Sequence, residues 1–112
     1  MDLQKRIYEL HAEVCKTLAH PKRLEILHYL RDSEMMVSEI AERVGAPKAN
    51  ISQHLAMMRQ SGIVTTRRDG VNVYYRISNP KVIQACNLMR EVLMEQLAET
   101  EKLARQIIKV AE

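Results

Sequence analysis

The sequence predicts a mainly α-helical domain that carries one β-hairpin, and three observations lead to this fold class. Apolar residues recur at helical spacing over most of the 112 residues. Between residues 63 and 77 the pattern changes to β-branched and aromatic residues that alternate with polar ones. Asp69-Gly70 interrupts this stretch with a two-residue turn signal. The predicted order is therefore four helices, two hairpin strands and a long fifth helix.

Two helices are predicted at the start of the chain. The apolar positions of the first, over residues 3–18, lie three or four residues apart: Leu3, Ile7, Leu10, Val14 and Leu18. His20-Pro21 ends this helix, and Pro21 fits the first turn of a second one. We expect the second helix to end near Asp32-Ser33.

Two shorter helices follow, and a tight turn joins them. Ser38 is the expected N-cap of the third helix, and Gly45 its stop. Gly45-Ala46-Pro47 leads into a fourth helix that ends near Ser61-Gly62. The apolar side of the fourth helix is formed by Ile51, Leu55 and Met58, and its polar, basic side by Lys48, Asn50, Ser52, Gln53 and Arg59. Such a pair of helices predicts a helix-turn-helix, whose second helix fits a DNA major groove.

The hairpin and the last helix complete a winged helix-turn-helix. Arg67, Arg68 and Asn72 lie near the hairpin tip, where a wing would touch the DNA backbone or minor groove. Asn79-Pro80 ends the second strand, and one continuous helix is expected from about 81 to 110. Its apolar stripe comprises Val82, Cys86, Met89, Leu93, Leu97, Leu103 and Ile107. With no repeat or linker visible, residues 1–112 are expected to form a single domain.

The positive charge is concentrated in the middle of the chain. Residues 43–76 carry six bases against Asp69 alone, a balance of +5, whereas residues 1–42 sum to −2 and residues 77–112 to zero. A basic stretch inside a folded domain favours a polyanionic partner, because phosphate neutralisation supplies most non-specific nucleic-acid affinity. A solvated basic face is the alternative that charge alone leaves open.

Composition and motifs exclude several other classes. Hydrophobic residues at 46% favour a packed core, and no apolar run approaches the roughly 20 residues that span a bilayer. No secretory h-region follows the N-terminal charges, and two cysteines cannot form a disulfide framework. We therefore expect a soluble, cytoplasmic protein. The sequence has no CxxC motif, Gly-rich phosphate loop or catalytic carboxylate cluster, so an enzyme is not expected.

Three segments, LAHPKRLEILHYL, SEIAERVGAPKANISQHLAMMRQSGIV and TTRRDGVNVYYRIS, resemble the ArsR/SmtB family of winged-helix repressors. The resemblance covers nearly the whole chain. It implies a homodimer held by the first and last helices that binds an inverted-repeat DNA operator and leaves it when an inducer binds. The implied DNA contacts are Lys48, Asn50, Ser52, Gln53, His54, Arg59, Arg67, Arg68 and Asn72. For His54, helix packing or phosphate contact is as open as base contact.

Neither of the two familiar metal sites of that family is expected here. Where the third-helix site reads ELCVCDL, this chain has EMMVSEI, so Met36 and Ser38 replace the two cysteines. The final-helix zinc site needs histidines, and no histidine follows His54. No metal ligand and no cofactor is therefore predicted.

The only two cysteines, Cys15 and Cys86, fall in the first and last helices. Their placement resembles the dithiol, persulfide- or oxidant-responsive branch of the family, which implies that both are sensing residues. A metal or metalloid site that adds His11 is an alternative, since soft thiolates bind such ions. A third interpretation makes both cysteines inert core residues, with the chain acting as a protein-interaction adaptor.

Overall fold

A computed structural model describes residues 2–111, without the side chains of residues 102–104. Its elements are α1 (Leu3–Leu18), α2 (Pro21–Leu30), α3 (Val37–Val44), α4 (Lys48–Gln60), β1 (Val64–Asp69), β2 (Asn72–Ile77), α5 (Lys81–Leu97) and α6 (Glu101–Ala111). The predicted order of helices and hairpin is confirmed, except that two helices replace the expected last one.

The chain divides into two compact units at the boundary between Pro80 and Lys81. The first unit contains α1 to α4 and the hairpin, and the second contains α5 and α6. The expectation of a single domain over residues 1–112 stays a prediction. Among the described residues, no helix has the length and apolar character that crossing a membrane requires.

The core of the first unit lies between α2, α3, α4 and the start of β1. Its buried apolar residues are Ile26, Leu27, Leu30, Met35, Ile40, Ala41, Ile51, Leu55, Met58, Ile63 and Val64. The predicted apolar side of α4 is fully buried, since Ile51, Leu55 and Met58 are each 0% exposed. This core fixes the direction of α4 and therefore the direction of its polar side.

Helix α3 begins earlier than predicted. Its N-cap is Met36, and Ser38 lies inside the first turn, so the prediction of Ser38 as N-cap is wrong. The helix starts here because Glu39, at the third helical position, accepts a hydrogen bond from the Met36 backbone N–H at 3.1 Å. The predicted stop is confirmed, because Gly45 adopts a left-handed φ of 77° as C-cap.

The hairpin is antiparallel, with Val64 opposite Ile77 and Asp69 opposite Asn72. The two-residue turn is therefore Gly70-Val71, one residue later than the predicted Asp69-Gly70. Gly70 has a φ of +61°, and within residues 2–111 no non-glycine residue has a positive φ, so glycine occupies the turn position that L side chains avoid.

The segment between α2 and α3 extends the hairpin by one short bridge. Met35 donates its backbone N–H to the Tyr75 carbonyl at 3.0 Å, and the Tyr75 N–H donates to the Met35 carbonyl at 2.8 Å. Since Met35 is buried, this bridge joins the hairpin to the helical core. The direction of the wing is thus set from the α2–α3 connection.

The expected continuous helix over residues 81–110 is wrong, because residues 98–100 form a turn between α5 and α6. The Thr100 backbone N–H and hydroxyl both donate to the Leu97 carbonyl, at 2.9 and 3.1 Å. Both bonds reach back three residues, and they form a turn in place of the i→i−4 bonds of a continued helix. Of the predicted apolar stripe, the Leu103 side chain lies outside the described residues.

Helices α1 and α5 expose much of their apolar surface. Helix α1 contributes no buried residue, and its Leu3 and Ile7 are 72% and 64% exposed. In α5, Leu88 and Met89 are likewise 62% and 69% exposed. Exposed apolar patches mark interaction surfaces in soluble proteins.

Candidate nucleic-acid interface

Helix α4 presents a polar side opposite its buried one. The five predicted side chains on this side are all exposed: Lys48, Asn50, Ser52, Gln53 and Arg59. Gln53 lies almost opposite the buried apolar side, because residues recur every 3.6 positions. The predicted division of this helix is confirmed, whereas the DNA contacts themselves stay predictions.

Sequence reasoning missed two alanines on this side. Ala49 and Ala56 are exposed and lie one turn before and one turn after Gln53 on the same stripe. Small side chains there let a flat surface approach Gln53 closely. Helical spacing alone indicates this stripe, because Ala49 and Ala56 lie four residues before and three residues after Gln53.

His54 lies at the edge of the buried side and faces the rest of the unit. Its Nδ1 accepts a hydrogen bond from the Arg23 Nε at 3.1 Å. Burial is the main reason that the pKa of His54 is lowered, and Arg23, His20 and Lys22 add to the lowering through charge repulsion. This contact favours helix packing, one of the three roles open for His54.

Arg23 is a buried charged residue of the core, and its partners lie in α1 and α4. It is 9% exposed, and besides His54 it donates through Nη1 to the Thr17 backbone carbonyl of α1 at 2.9 Å. Both bonds satisfy guanidinium N–H groups that burial would otherwise leave unpaired. Arg23 therefore links three helices, a role that the sequence pattern did not indicate.

In the wing, Arg67 is already engaged. Its Nε lies 3.1 Å from both carboxylate oxygens of Glu34, and its Nη2 donates to the same carboxylate. The guanidinium also lies over the Tyr74 ring, 4.7 Å from the centroid. This pairing lowers the pKa of Glu34, first through the hydrogen bond to Arg67, and keeps the carboxyl ionised.

The hairpin tip beside Arg67 is open to solvent. Arg68 and Asn72 are exposed, and Val71 is 96% exposed. Of the six bases in residues 43–76, five form no ion pair in the part of the chain that the structure describes: Arg43, Lys48, Arg59, Arg68 and Arg76. The basic stretch is therefore a largely unneutralised surface.

The two cysteines lie in different units, Cys15 in α1 and Cys86 in α5. Both are free thiols, with Cys15 exposed and Cys86 partly buried. Burial raises the pKa of the Cys86 thiol, and the nearby Arg90 opposes this shift. No group of three or more metal-ligating side chains occurs among the described residues. At the third-helix positions, Met36 and Ser38 do not supply the thiolates of the ELCVCDL site.

Comparison with known proteins gives related regulators. The model of the family "Bacterial regulatory protein, arsR family" matches residues 20–66. KmtR of Mycobacterium tuberculosis, an HTH-type transcriptional regulator, is 47% identical over 75 residues, which are 67% of this chain but only 58% of KmtR. Rv0081 of the same species, named an uncharacterized HTH-type transcriptional regulator, is 38% identical over 83% of this chain and 82% of its own. The biofilm growth-associated repressor of Xylella fastidiosa is 36% identical over 85% and 82%.

Solved structures agree with these sequence matches. The crystal structure of Rv0081 has a TM-score of 0.76 and 38% identity, covering 84% of this chain and 95% of that one. A homodimeric winged helix-turn-helix DNA-binding domain from Mycobacterium bovis, a possible ArsR-family regulator, has a TM-score of 0.79 and 32% identity over 88% and 92%. The chain therefore belongs to the ArsR family of winged-helix regulatory proteins, and the relatives named above are transcriptional regulators, not enzymes.

Proposed function

We propose that this protein is a homodimeric repressor that binds a double-stranded DNA operator with an inverted repeat. The observation that carries the proposal is the polar side of α4, which is exposed, basic and held by a fully buried apolar side. Such a helix fits a major groove, where Gln53 bonds the edge of an adenine and Ser52 a base or phosphate. Lys48, Arg59 and Arg68 neutralise phosphates.

The exposed apolar side chains of the terminal helices support the homodimer. Leu3, Ile7, Leu88 and Met89 lie on helices that would otherwise expose them to water. The related domain from Mycobacterium bovis is described as homodimeric. A two-fold dimer presents two copies of α4, and this symmetry is what an inverted repeat matches.

Operator binding is tested with DNA from the region upstream of the protein's own gene. Purified protein should bind a labelled duplex from this region far more tightly than an arbitrary duplex of equal length, with affinity falling steeply as salt rises. Sedimentation of the complex should give two chains for each duplex. Equal affinity for both duplexes, or binding by a single chain, would refute the proposal.

We further propose that a thiol-directed inducer, a persulfide or an oxidant, releases the operator through Cys15 and Cys86. They are the only cysteines in the chain, and Cys15 is open to reagents. With an organic trisulfide, the two thiols give up two protons and two electrons. The trisulfide leaves as two thiol molecules, and its middle sulfur bridges the cysteines.

The thiol step is tested by comparing reduced protein with protein treated with an organic trisulfide. We expect weaker operator binding, together with a linked Cys15–Cys86 peptide that carries one added sulfur in mass spectrometry. Cys15→Ser and Cys86→Ser should each abolish the response and keep the binding of the reduced protein. The thiol proposal would be overturned if the treated protein released the operator without forming a linked peptide, or if either serine variant still responded fully to the trisulfide. Either result would leave the proposal of DNA binding intact.

A further inference from the structure

Glu34 and Arg67 form an ion pair across 33 residues of sequence, and its geometry is specific. The Arg67 Nε lies 3.1 Å from each carboxylate oxygen, and a second guanidinium nitrogen donates to the same group. Several bonds from one planar guanidinium to one carboxylate hold both groups in a single orientation. The Glu34 side chain is only 33% exposed, so it is partly shielded from competing water.

The sheet places Tyr74 beneath this pair. Arg67 lies directly opposite Tyr74 in the register of the two strands, and directly paired residues share one face of a sheet. The guanidinium therefore contacts both the ring of its cross-strand neighbour and the Glu34 carboxylate. Arg68 is the next residue along the strand, so it points to the opposite face.

Glu34 is itself fixed in place. Its neighbour Met35 makes two backbone hydrogen bonds to Tyr75 and is buried in the core. The carboxylate therefore stands beside the wing on a segment that cannot swing away without breaking this bridge. The positive field of Arg76 also contributes to the lowered pKa of Glu34, so the carboxylate is charged at neutral pH.

We propose that Glu34 is a positioning residue of the DNA-binding surface, which binds Arg67 within the wing and leaves Arg68 as the wing's charged phosphate contact. The proposal rests on the proposed binding of DNA. A phosphate that recruited Arg67 would have to displace a multiply bonded carboxylate, and that carboxylate would repel it. Arg68 makes no ion pair among the described residues and lies exposed near the hairpin tip.

The test measures how the affinity for a fluorescein-labelled 30-base-pair duplex of arbitrary sequence depends on potassium chloride concentration. The slope of log affinity against log salt counts neutralised phosphates, at about 0.9 for each. For each wing that touches the duplex, Arg68→Met should lower the magnitude of this negative slope by about 0.9, because one phosphate contact is lost. Arg67→Met should leave the slope unchanged. Glu34→Gln should raise the magnitude of the slope by about 0.9, because it frees Arg67 to contact a phosphate. The double variant, Glu34→Gln with Arg67→Met, should return the slope to its original value.

The sign of the Glu34→Gln effect separates positioning from general damage to the fold, which would lower the affinity without adding a phosphate contact. If Arg67→Met reduces the slope as much as Arg68→Met does, Arg67 is itself a phosphate contact and the proposal fails. Circular dichroism and the thermal midpoint of each variant verify that the fold is kept.

A second measurement needs no DNA. In ¹⁵N-labelled free protein, the Arg67 Nε–H should give a resolved NMR signal with slow solvent exchange, and Glu34→Gln should abolish that protection. An unprotected Arg67 signal in the unaltered protein would overturn the proposal. If the unaltered protein binds no duplex at all, the proposed function fails, and this signal still decides whether Glu34 holds Arg67.

Discussion

Helix α4 and the wing belong to one basic surface, yet they present their polar side chains in different ways. The polar side chains of α4, with Gln53 at the centre, point to solvent and the helix is held from behind by Ile51, Leu55 and Met58. In the wing, Arg67 is bound to Glu34, and the strands are joined to the core through the Met35–Tyr75 bridge. Burial therefore holds the helix, whereas polar contacts hold the outer part of the wing at Arg67.

Because of this difference, we expect sequence specificity to come mainly from α4, and the wing to contribute to affinity. A helix with free polar groups on a rigid support is preorganised to bond base edges. In the wing, Glu34 neutralises Arg67, so fewer positive charges are available to contact phosphates. The comparison predicts that variants of α4 and of the wing differ in kind as well as in size.

The largest expected effect is on the support of α4. Leu55→Ala removes a side chain that is 0% exposed, and the cavity should lower the free energy of unfolding by about 2–5 kcal/mol. Val73→Ala in the half-buried wing should cost less than about 1.5 kcal/mol, because less apolar surface is lost from a site open to water. Chemical denaturation at fixed protein concentration measures both. Equal losses would mean that the wing is as much a part of the core as α4.

The second effect concerns DNA recognition. Gln53→Ala should weaken binding to the upstream duplex by about 1–3 kcal/mol and leave binding to an arbitrary duplex nearly unchanged, because it removes a base contact. Asn72→Ala at the wing should weaken both duplexes alike and by less, since backbone contacts carry no sequence information. Gln84→Ala, an exposed glutamine on α5, is the matched control for the loss of an amide. A uniform loss with Gln53→Ala would move this residue to the phosphate contacts.

Features that depend on local helical geometry could be predicted from the sequence. Periodicity identified Ile51, Leu55 and Met58 as buried and Gln53 as exposed, because both facts follow from local helical geometry. Gly45 stopped α3 as expected, since few other residues adopt its φ. Elements whose limits depend on local chemistry were therefore placed within a few residues.

Contacts between distant segments could not be predicted in this way. The pairs Glu34–Arg67 and Arg23–His54 are separated by 33 and 31 residues, and no local pattern connects their members. The earlier start of α3 is a local feature, because Glu39 accepts from the Met36 N–H three residues before it, and it was missed because methionine is not a usual N-cap residue. The turn after Leu97 has a different cause, because residues 98–100 contain neither glycine nor proline to mark it.

A smaller effect is expected at the turn that aims α4. Gly45→Ala should lower the free energy of unfolding by about 1–2 kcal/mol, because an added Cβ is strained at a φ of 77°. Apart from Gly45 and its two chain neighbours, no described residue places an atom within 4 Å of that Cβ, so the cost comes from the backbone conformation. Gly45→Asn should cost less, since asparagine tolerates this conformation better. If asparagine and alanine cost the same, a contact rather than backbone strain would be responsible.

The smallest effect separates the two polar contacts by pH. Because the pKa of His54 is lowered in the folded protein, the unfolded chain takes up a proton first as the pH falls below about 6.5. Protonation of Nδ1 also breaks the bond donated by Arg23. The stability that neutral His54 contributes is therefore complete above that pH and is lost as the pH falls through the lowered pKa.

The ion pair of the wing should respond only in stronger acid. The pKa of Glu34 is lowered from an ordinary value of about 4.5, so its contribution is complete above that pH and is lost below it. Unfolding free energies measured between pH 7.5 and 5.0 should decline, and His54→Gln should flatten the decline, because a glutamine oxygen still accepts from Arg23 and does not titrate. Glu34→Gln should leave the decline of the unfolding free energy between pH 7.5 and 5.0 unchanged. A decline that persists in His54→Gln and disappears in Glu34→Gln would assign the pH response to the wing and reverse the comparison.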